Sequence, residues 1–368
     1  MRTMKFLLAL AALAISAPVL ARAPIDCPLR DAPFSAQSPL IDLLLSPAAK
    51  AVLDRETGGR IDKLPPMFLN TQPPTFGAIL TLKENATWTG LSPSRLEAVD
   101  QALRALPVTP ADRAARCARY DNDRPHFNFP RDRGKPRILI FEKINGFKDT
   151  PSVEAARAAL VAMAQRKGWY IAATQSGGAI NPATLRQFDV VFWNNVSGDV
   201  LTLSQRRALQ RYLERGGGFV AVHGSAGDFN YFWDWYADSL IGARFIGHTL
   251  APQFQNARIV VDQQHPLAAT LPADWAMTDE WYSFRGDPRA KGANVLLSLD
   301  EASYNPVGPM GTDIRMGSHP LAWTNCIKRG RMFYSAIGHK PETYVEPNHV
   351  KLLEAAIEWA ATARRACR

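Results

Sequence analysis

The segment Gly216–Gly227 reads GGGFVAVHGSAG and sets His223 and Ser225 two positions apart where a short apolar run ends. A serine in this setting is close to a nucleophile elbow, in which a sharp turn after a strand lifts a hydroxyl for acyl transfer, here with histidine in place of the first glycine. An imidazole at the same strand end offers general acid–base work or metal ligation instead. No local spacing supplies Ser225 with a fixed base partner, so a small residue packed in a tight turn is its plainer reading. A lone histidine at a strand end is ordinarily a hydrogen-bonded structural residue, and His223 needs further context to rise above that.

Asp228, Asn230, Trp233 and Tyr236 follow the turn directly, and Trp235, Trp281, Tyr282 and Trp323 add to the aromatic set. Indole and phenol rings accept the C–H faces of sugars while neighbouring carboxylate, amide and guanidinium groups reach the hydroxyls. Most such rings serve the core. Trp233 and Tyr236, beside Asp228 and Asn230, are the ones expected in a pocket.

The elements that must position these residues begin at Arg137. RILIFEK reads as a short buried strand, and WYIAATQ, DVVFWNN and GFVAVH as the strands that follow it. Between them, Thr150-Pro151 offers an N-cap and a first-turn proline, Val153, Ala156, Leu160 and Met163 share one helical face, and Thr202 with Gln205 forms a capping box. Gly216–Gly218 ends that second helix. Near-continuous apolar strands alternating with amphipathic helices mean an α/β parallel sheet covered on both faces, with its ligand crevice beyond the carboxyl ends of the strands. Glu142, Lys143, Asn194, Asn195 and His223 fall on that edge. Further on, NARIVVDQQHP, TDEWYSF and NVLLSLD read as strands, HPLAWTNC and GRMFYSAIGH as a hairpin, and a last helix begins at Asn348. The glycine triplet closes a helix and lacks the strand–GxGxxG–helix order of a phosphate cradle, which weakens a nucleotide-binding reading.

Residues 1–21 carry Arg2 and Lys5, an apolar run, and small residues at the −3 and −1 positions of a cut after Ala21, the pattern of a secretory signal peptide. The run is too short for a membrane span. Asp26 before Cys27 excludes a lipobox. Secretion, most simply to a bacterial periplasm, is expected, with no membrane span in the mature chain. The formal charge of +9 loses two units with Arg2 and Lys5. The basic residues are otherwise scattered, with Arg206-Arg207 and Arg364-Arg365 the tight groups, so nucleic acid is not an expected partner. Cys27, Cys117, Cys326 and Cys367 all follow the cut, and an oxidising compartment favours two disulfides. Three pairings can be drawn. Cys27–Cys117 with Cys326–Cys367 is favoured, because each ties a terminal segment to its own region. Residues 22–134, rich in proline and holding amphipathic stretches at Ser38–Leu53 and Ser92–Leu106, read as a small helical region without a chemical signature, 135–363 as the main domain and 364–368 as a tail.

The segments GGGFVAVHGSAGDF, WDWYADSLIGARFIGH, HPLAATLP, TDEWYSFRGDPR, SHPLAW and GRMFYSAIGHKPETY, in this order, resemble the trehalose-utilisation ThuA-like family over about Arg137 to Ala361. The resemblance implies a flavodoxin-like sheet of the class I glutamine amidotransferase type. Amidotransferases work through a cysteine thiolate at the elbow, and no cysteine lies between Cys117 and Cys326. That chemistry is excluded here.

The family motifs keep histidine at His223 and a small residue at Ser225, and they add His248, His339, Asp279 and Glu280. Three histidines and a carboxylate pair match either a general acid–base cluster or a divalent metal site. In the first, His223 or His339 is the base and Glu280 a proton donor. In the second, His223, His248, Glu280 and His339 are ligands of a zinc-like ion, the cofactor this set implies. The substrate-facing set is Asp228, Asn230, Trp233, Tyr236, Asp279, Trp281, Tyr282, Arg285 and His319, with His265 and His319 read also as anchors of proline turns. His126 and His349 read as surface or capping residues. The implied partner is a small carbohydrate, a glycoside or 3-keto-glycoside, handled by hydrolysis, elimination or isomerisation. A sugar-binding protein without chemistry is the alternative.

Overall fold

The computed structural model describes residues 25–84, 86–130, 134–362 and 367. The segment 1–21 that reads as a signal peptide, Asp132 and Arg133 of the junction, and the tail residues other than Cys367 lie outside them.

Eleven strands occur among the described residues: β1 (Arg137–Phe141), β2 (Tyr170–Thr174), β3 (Val190–Asn194), β4 (Gly218–Val222), β5 (Arg244–His248), β6 (Phe254–Val261), β7 (Asp274–Glu280), β8 (Tyr282–Arg285), β9 (Asn294–Leu299), β10 (Pro320–Ile327) and β11 (Gly330–Ser335). Nine form one sheet in the order β2-β1-β3-β4-β11-β10-β9-β6-β7, and β5 pairs with β8 in a small separate sheet. The half from β2 to β11 is parallel, as expected for the crossover-helix pattern. From β11 to β7 every pairing is antiparallel. Residue type explains the division. β1, β3, β4 and β11 are buried at every position, as strands covered on both faces must be. β6 alternates exposed and buried along FQNARIVV, the period of a sheet with one wet face.

The helices Thr150–Lys167, Leu203–Glu214 and Pro347–Ala361 cover the parallel half. The Thr202–Gln205 capping box is present. Two expectations shift by a residue: Asp149, not Thr150, caps the first of these helices, and Glu346 caps the last, which starts at Pro347. A carboxylate reaches the free N–H groups of a first turn as well as a hydroxyl does.

Before β1 the chain is helical, at Leu40–Leu45, Pro47–Thr57, Pro93–Arg104 and Pro110–Cys117 among others. The prolines that make this stretch look loop-like sit instead at first helical positions behind Ser46, Ser92 and Thr109 caps. Phe34, Leu40, Leu53, Ile61, Val99 and Leu103 give this region an apolar cluster separate from that of the sheet. A buried Asp42–Arg119 ion pair at 2.6 Å lies within this region, and Tyr120 donating to Asp199 at 3.1 Å and the Thr75 amide donating to Asn145 O at 3.0 Å join it to the loops after β1 and β3. Cys27 pairs with Cys117 and Cys326 with Cys367, the favoured connectivity. Among the described residues no helix is long and apolar enough to cross a membrane.

His349 is a correction. It is fully buried, its Nδ1–H donating to Thr343 O at 2.9 Å and its Nε2 facing the Ser335 hydroxyl at 3.2 Å. Burial pushes its pKa down to about 4. The unfolded chain titrates near 6.5 and binds the proton first, so the stability tied to neutral His349 is complete above about pH 6.5 and is lost as pH falls toward 4. Melting temperature measured from pH 7.5 to 4.5 should therefore fall more steeply for the parent than for His349→Gln, which starts lower at pH 7.5. Parallel curves would contradict this burial.

Candidate active site

β4 ends at Val222 and the chain turns at once. His223 has φ of 38°, in the left-handed region, and His223–Ala226 form one tight turn. A non-glycine residue there costs on the order of 1–3 kcal/mol and persists where neighbours hold it. Asn195 Oδ1 accepts the Gly224 amide at 3.1 Å, and the Tyr334 hydroxyl donates to His223 O at 2.9 Å. Ser225 is buried, its hydroxyl donating to Trp193 O at 2.8 Å and accepting the Val196 amide at 3.1 Å. The serine braces the elbow, and the elbow presents the histidine.

His223 Nδ1 lies 2.8 Å from Ala336 O. A carbonyl only accepts, so the neutral ring carries its proton on Nδ1 and a lone pair on Nε2. That Nε2 is 3.2 Å from His339 Nδ1 and 3.5 Å from Glu280 Oε2, and His339 Nδ1 is 3.1 Å from the same oxygen. Three electron-rich atoms this close, with His223 and Glu280 both buried, repel one another unless a cation lies among them. The cation is either shared protons or a metal ion, and His223, Glu280 and His339 are the set whose ligand atoms fall within 4.8 Å of one another. His248 does not join it. Its Nδ1 donates to Thr249 O at 2.7 Å and lies 3.2 Å from the other Glu280 oxygen, which leaves Nε2 without a hydrogen bond to the described residues and the half-buried ring outside the triad.

Four elements deliver these groups. β4 and β11 are parallel neighbours in register, Val222 beside Ser335, so their ends bring His223 and the segment Ala336–His339 together. The end of β7 supplies Glu280 and the end of β5 His248. Asp279 accepts the amides of Gly338 at 2.7 Å and Lys340 at 3.0 Å, which clamps the backbone on both sides of His339. The Ser152 hydroxyl, in the first turn of its helix, donates to His339 O. Gly338 has φ of 142°, and a Cβ there would stand 2.3 Å from the Tyr344 oxygen and 3.1 Å from His223 Cβ. Only glycine lets the two histidines meet.

Charge follows position. Burial opposes ionisation of Glu280, but the neighbouring His223, His339 and His248 rings outweigh it and hold the carboxyl far below the usual range. An ionised Glu280 suits a cation holder and not the proton donor the sequence allowed. Burial would lower His339, yet its bond to Glu280 raises it. Asp279 is pushed up by burial against the pull of His223 and its amide donors.

The remaining sequence-predicted residues separate into three groups. Tyr282 lies against the centre, its ring 4.2 Å from His223, and buried His319 steadies it from behind by donating from Nε2 to Tyr282 O at 2.8 Å while Nδ1 meets Glu301 at 2.9 Å. Asp228, Asn230, Trp233 and Tyr236 line a different small cavity that none of the three histidines borders. There Asp228 receives the Ser197 hydroxyl and the Gly198 amide, burial pushing it up to about 7, Asn230 donates to Ile79 O and Glu84, the Arg206 guanidinium lies 5.1 Å from the Trp233 ring, and Tyr236 donates to Ser225 O at 2.6 Å. Trp281 is core, its indole donating to Gln255 O at 2.9 Å, and Arg285 is exposed at the end of β8. At the strand ends, Glu142 pairs with Arg157 and Asn194, and Lys143 with Asp121.

Residues without a motif complete the site. Gln253 donates to Glu280 Oε1 at 2.6 Å. Phe254, 39% exposed, sets its ring 5.1 Å from His339, with the Lys340 ammonium 5.6 Å over its face. Phe147, 6.0 Å from His339, packs on Phe76 of the N-terminal helical region at 5.3 Å. Side chains from that region thus stand one ring away from the centre.

A solved structure of known kind superposes on this arrangement of elements. A ThuA-like protein from Bacteroides uniformis is 26% identical and superposes with a TM-score of 0.53 over 63% of this chain and 95% of that one. A ThuA-like protein from Parabacteroides merdae matches at 16% identity and TM-score 0.48, over 64% and 92%. A GMP synthase component from Thermoplasma acidophilum matches at 12% identity and TM-score 0.38, over 63% and 98%. None of the curated proteins matches the chain. The family model for trehalose utilisation, ThuA, matches residues 137–360, well over half of the chain, and with every group of the histidine centre inside that span the protein belongs to the ThuA family.

Proposed function

We propose that this protein is an exported enzyme of sugar catabolism that cleaves a 3-keto-glycoside by proton abstraction and elimination. The observation that carries the reading is the centre itself: a buried carboxylate and two imidazoles whose facing atoms lie 3.1–3.5 Å apart, beside a third imidazole whose second nitrogen makes no hydrogen bond to the described residues. The family's link to trehalose utilisation points the substrate class toward glucosides. The paired cysteines support export.

A ketone at C3 of a glycoside acidifies the C2 hydrogen. His248 Nε2 takes that proton, its Nδ1–H fixed by Thr249 O and the resulting imidazolium balanced by Glu280 at 3.2 Å. The C–H electron pair moves toward the ketone oxygen, and His223, Glu280 and His339 would hold a cation that supplies positive charge beside that oxygen. When the C3 carbonyl re-forms, a C1–C2 double bond appears, the C1–O bond breaks and the departing alkoxide takes the proton from His248. Atoms and charge balance without a co-reactant. Phe254 and Phe147 offer the sugar ring apolar faces beside His339, the role the sequence assigns to Trp233 and Tyr236.

Two expectations follow. His248→Ala, His223→Ala and His339→Ala should each lower kcat on a 3-keto-glycoside by at least about a hundredfold, and the His223/His339 double variant should lose little more than either single one, since residues acting as a unit are lost once. Steady-state kinetics beside melting curves check this. Unchanged kcat in all three would leave a sugar-binding protein, and additive losses would divide the centre into independent parts. Ser225→Ala should instead lower stability by about 1–2 kcal/mol, because it strips hydrogen bonds from the buried Trp193 carbonyl and Val196 amide, while turnover of the folded protein stays within a few-fold. A thousandfold loss of turnover would restore the serine as nucleophile.

A further inference from the structure

We infer that His223 Nε2, His339 Nδ1 and one Glu280 oxygen are the protein ligands of a divalent metal ion of the zinc class. The inference deepens the proposed function and shares its site, but stands on ligand geometry alone.

Ligand bonds of 2.0–2.1 Å in a tetrahedron place donor atoms about 3.3 Å apart. The three separations here are 3.1, 3.2 and 3.5 Å. Protons alone fit this set less well. One on His339 Nδ1 can serve Glu280, but the lone pair on His223 Nε2 then faces both partners, since its ring proton is committed to Ala336 O. A single ion satisfies all three atoms at once.

The surroundings are those a metal requires. A ligating histidine as a rule donates its other ring N–H to a carbonyl or carboxylate, which fixes tautomer and orientation. His223 does so to Ala336 O at 2.8 Å. The carboxylate is oriented from outside by Gln253 and His248 on its second oxygen, at 2.6 and 3.2 Å. His339 is held through its backbone by Asp279 and Ser152. Two imidazoles with one carboxylate favour a borderline ion such as zinc over magnesium or calcium, which prefer oxygen. Three protein ligands with one open position is the catalytic form of such sites, and the ion supplies a Lewis acid for the substrate's ketone oxygen.

The test uses the full mature protein, stripped with a chelator, dialysed and titrated with zinc chloride and separately with cobalt(II) chloride. The expected result is about one equivalent of either ion by elemental analysis, with the intense visible absorption of four- or five-coordinate cobalt. His339→Ala and Glu280→Gln should each weaken binding by on the order of a hundredfold or more. Far-ultraviolet circular dichroism confirms folding, and His339, at the edge of the crevice, guards against a misfolded Glu280 variant. Folded parent protein that takes up neither ion, or variants that keep full occupancy, would overturn the site. Metal-free protein with full turnover would remove the metal and keep the proposed enzyme, whereas stoichiometric metal without turnover of any 3-keto-glycoside would do the reverse.

Discussion

The mutual repulsion of three electron-rich atoms, His223 Nε2, His339 Nδ1 and Glu280 Oε2, is the constraint from which the rest of the site can be understood. They stand 3.1–3.5 Å apart in a largely buried setting, where solvent cannot screen them. Left to themselves they would separate. Each is held from outside: Ala336 O fixes the His223 tautomer, Asp279 spends both carboxylate oxygens on amides flanking His339, and Gln253 with His248 occupies the far oxygen of Glu280. Such preorganisation is what makes a site ready for a positive charge before substrate arrives.

The same logic explains the strained backbone. His223 turns the chain after β4 at φ of 38°, and Asn195, at the neighbouring strand end, is also left-handed at 51°. Asn195 Oδ1 receives the Gly224 amide, and its Nδ2 donates to the Tyr344 hydroxyl at 3.0 Å, which in turn donates to Gly338 O at 3.0 Å. One continuous set of bonds therefore runs from the β3 end through the elbow to the His339 loop. The turn serves the histidine, with Ser225 as its brace.

Much of the fold can be read in the residues, and the site only in part. The unbroken apolar runs of β1, β3 and β4, the Thr202–Gln205 box and the histidine at the β4 end state their structure locally, because burial on both faces, capping and turn position are short-range properties. Glu280, His248 and His339 become one neighbourhood only through motif order, since β7 lies five strands from β4 in the sheet. The IGH context of His248 matches that of His339 and so puts it among the ligands on sequence grounds. Its Nδ1 hydrogen bond to Thr249 O, which turns it outward, has no sequence signal. Trp233 and Tyr236 lie next to the elbow in sequence but line another cavity, whereas Phe147, Gln253 and Phe254 carry no motif and stand at the centre. His349 misleads for a related reason: a helix start looks exposed until the strand that covers it is known.

The central claim is that the centre supports removal of the C2 proton of a 3-keto-glycoside before the glycosidic bond breaks. Proton NMR of 3-keto-trehalose with the protein in deuterium oxide tests this most directly. The account predicts that released glucose appears together with loss of the C2–H signal from the ketosugar half, both absent with His248→Ala. Cleavage that leaves the C2 hydrogen in the product would contradict it, and would make the centre one for direct hydrolysis.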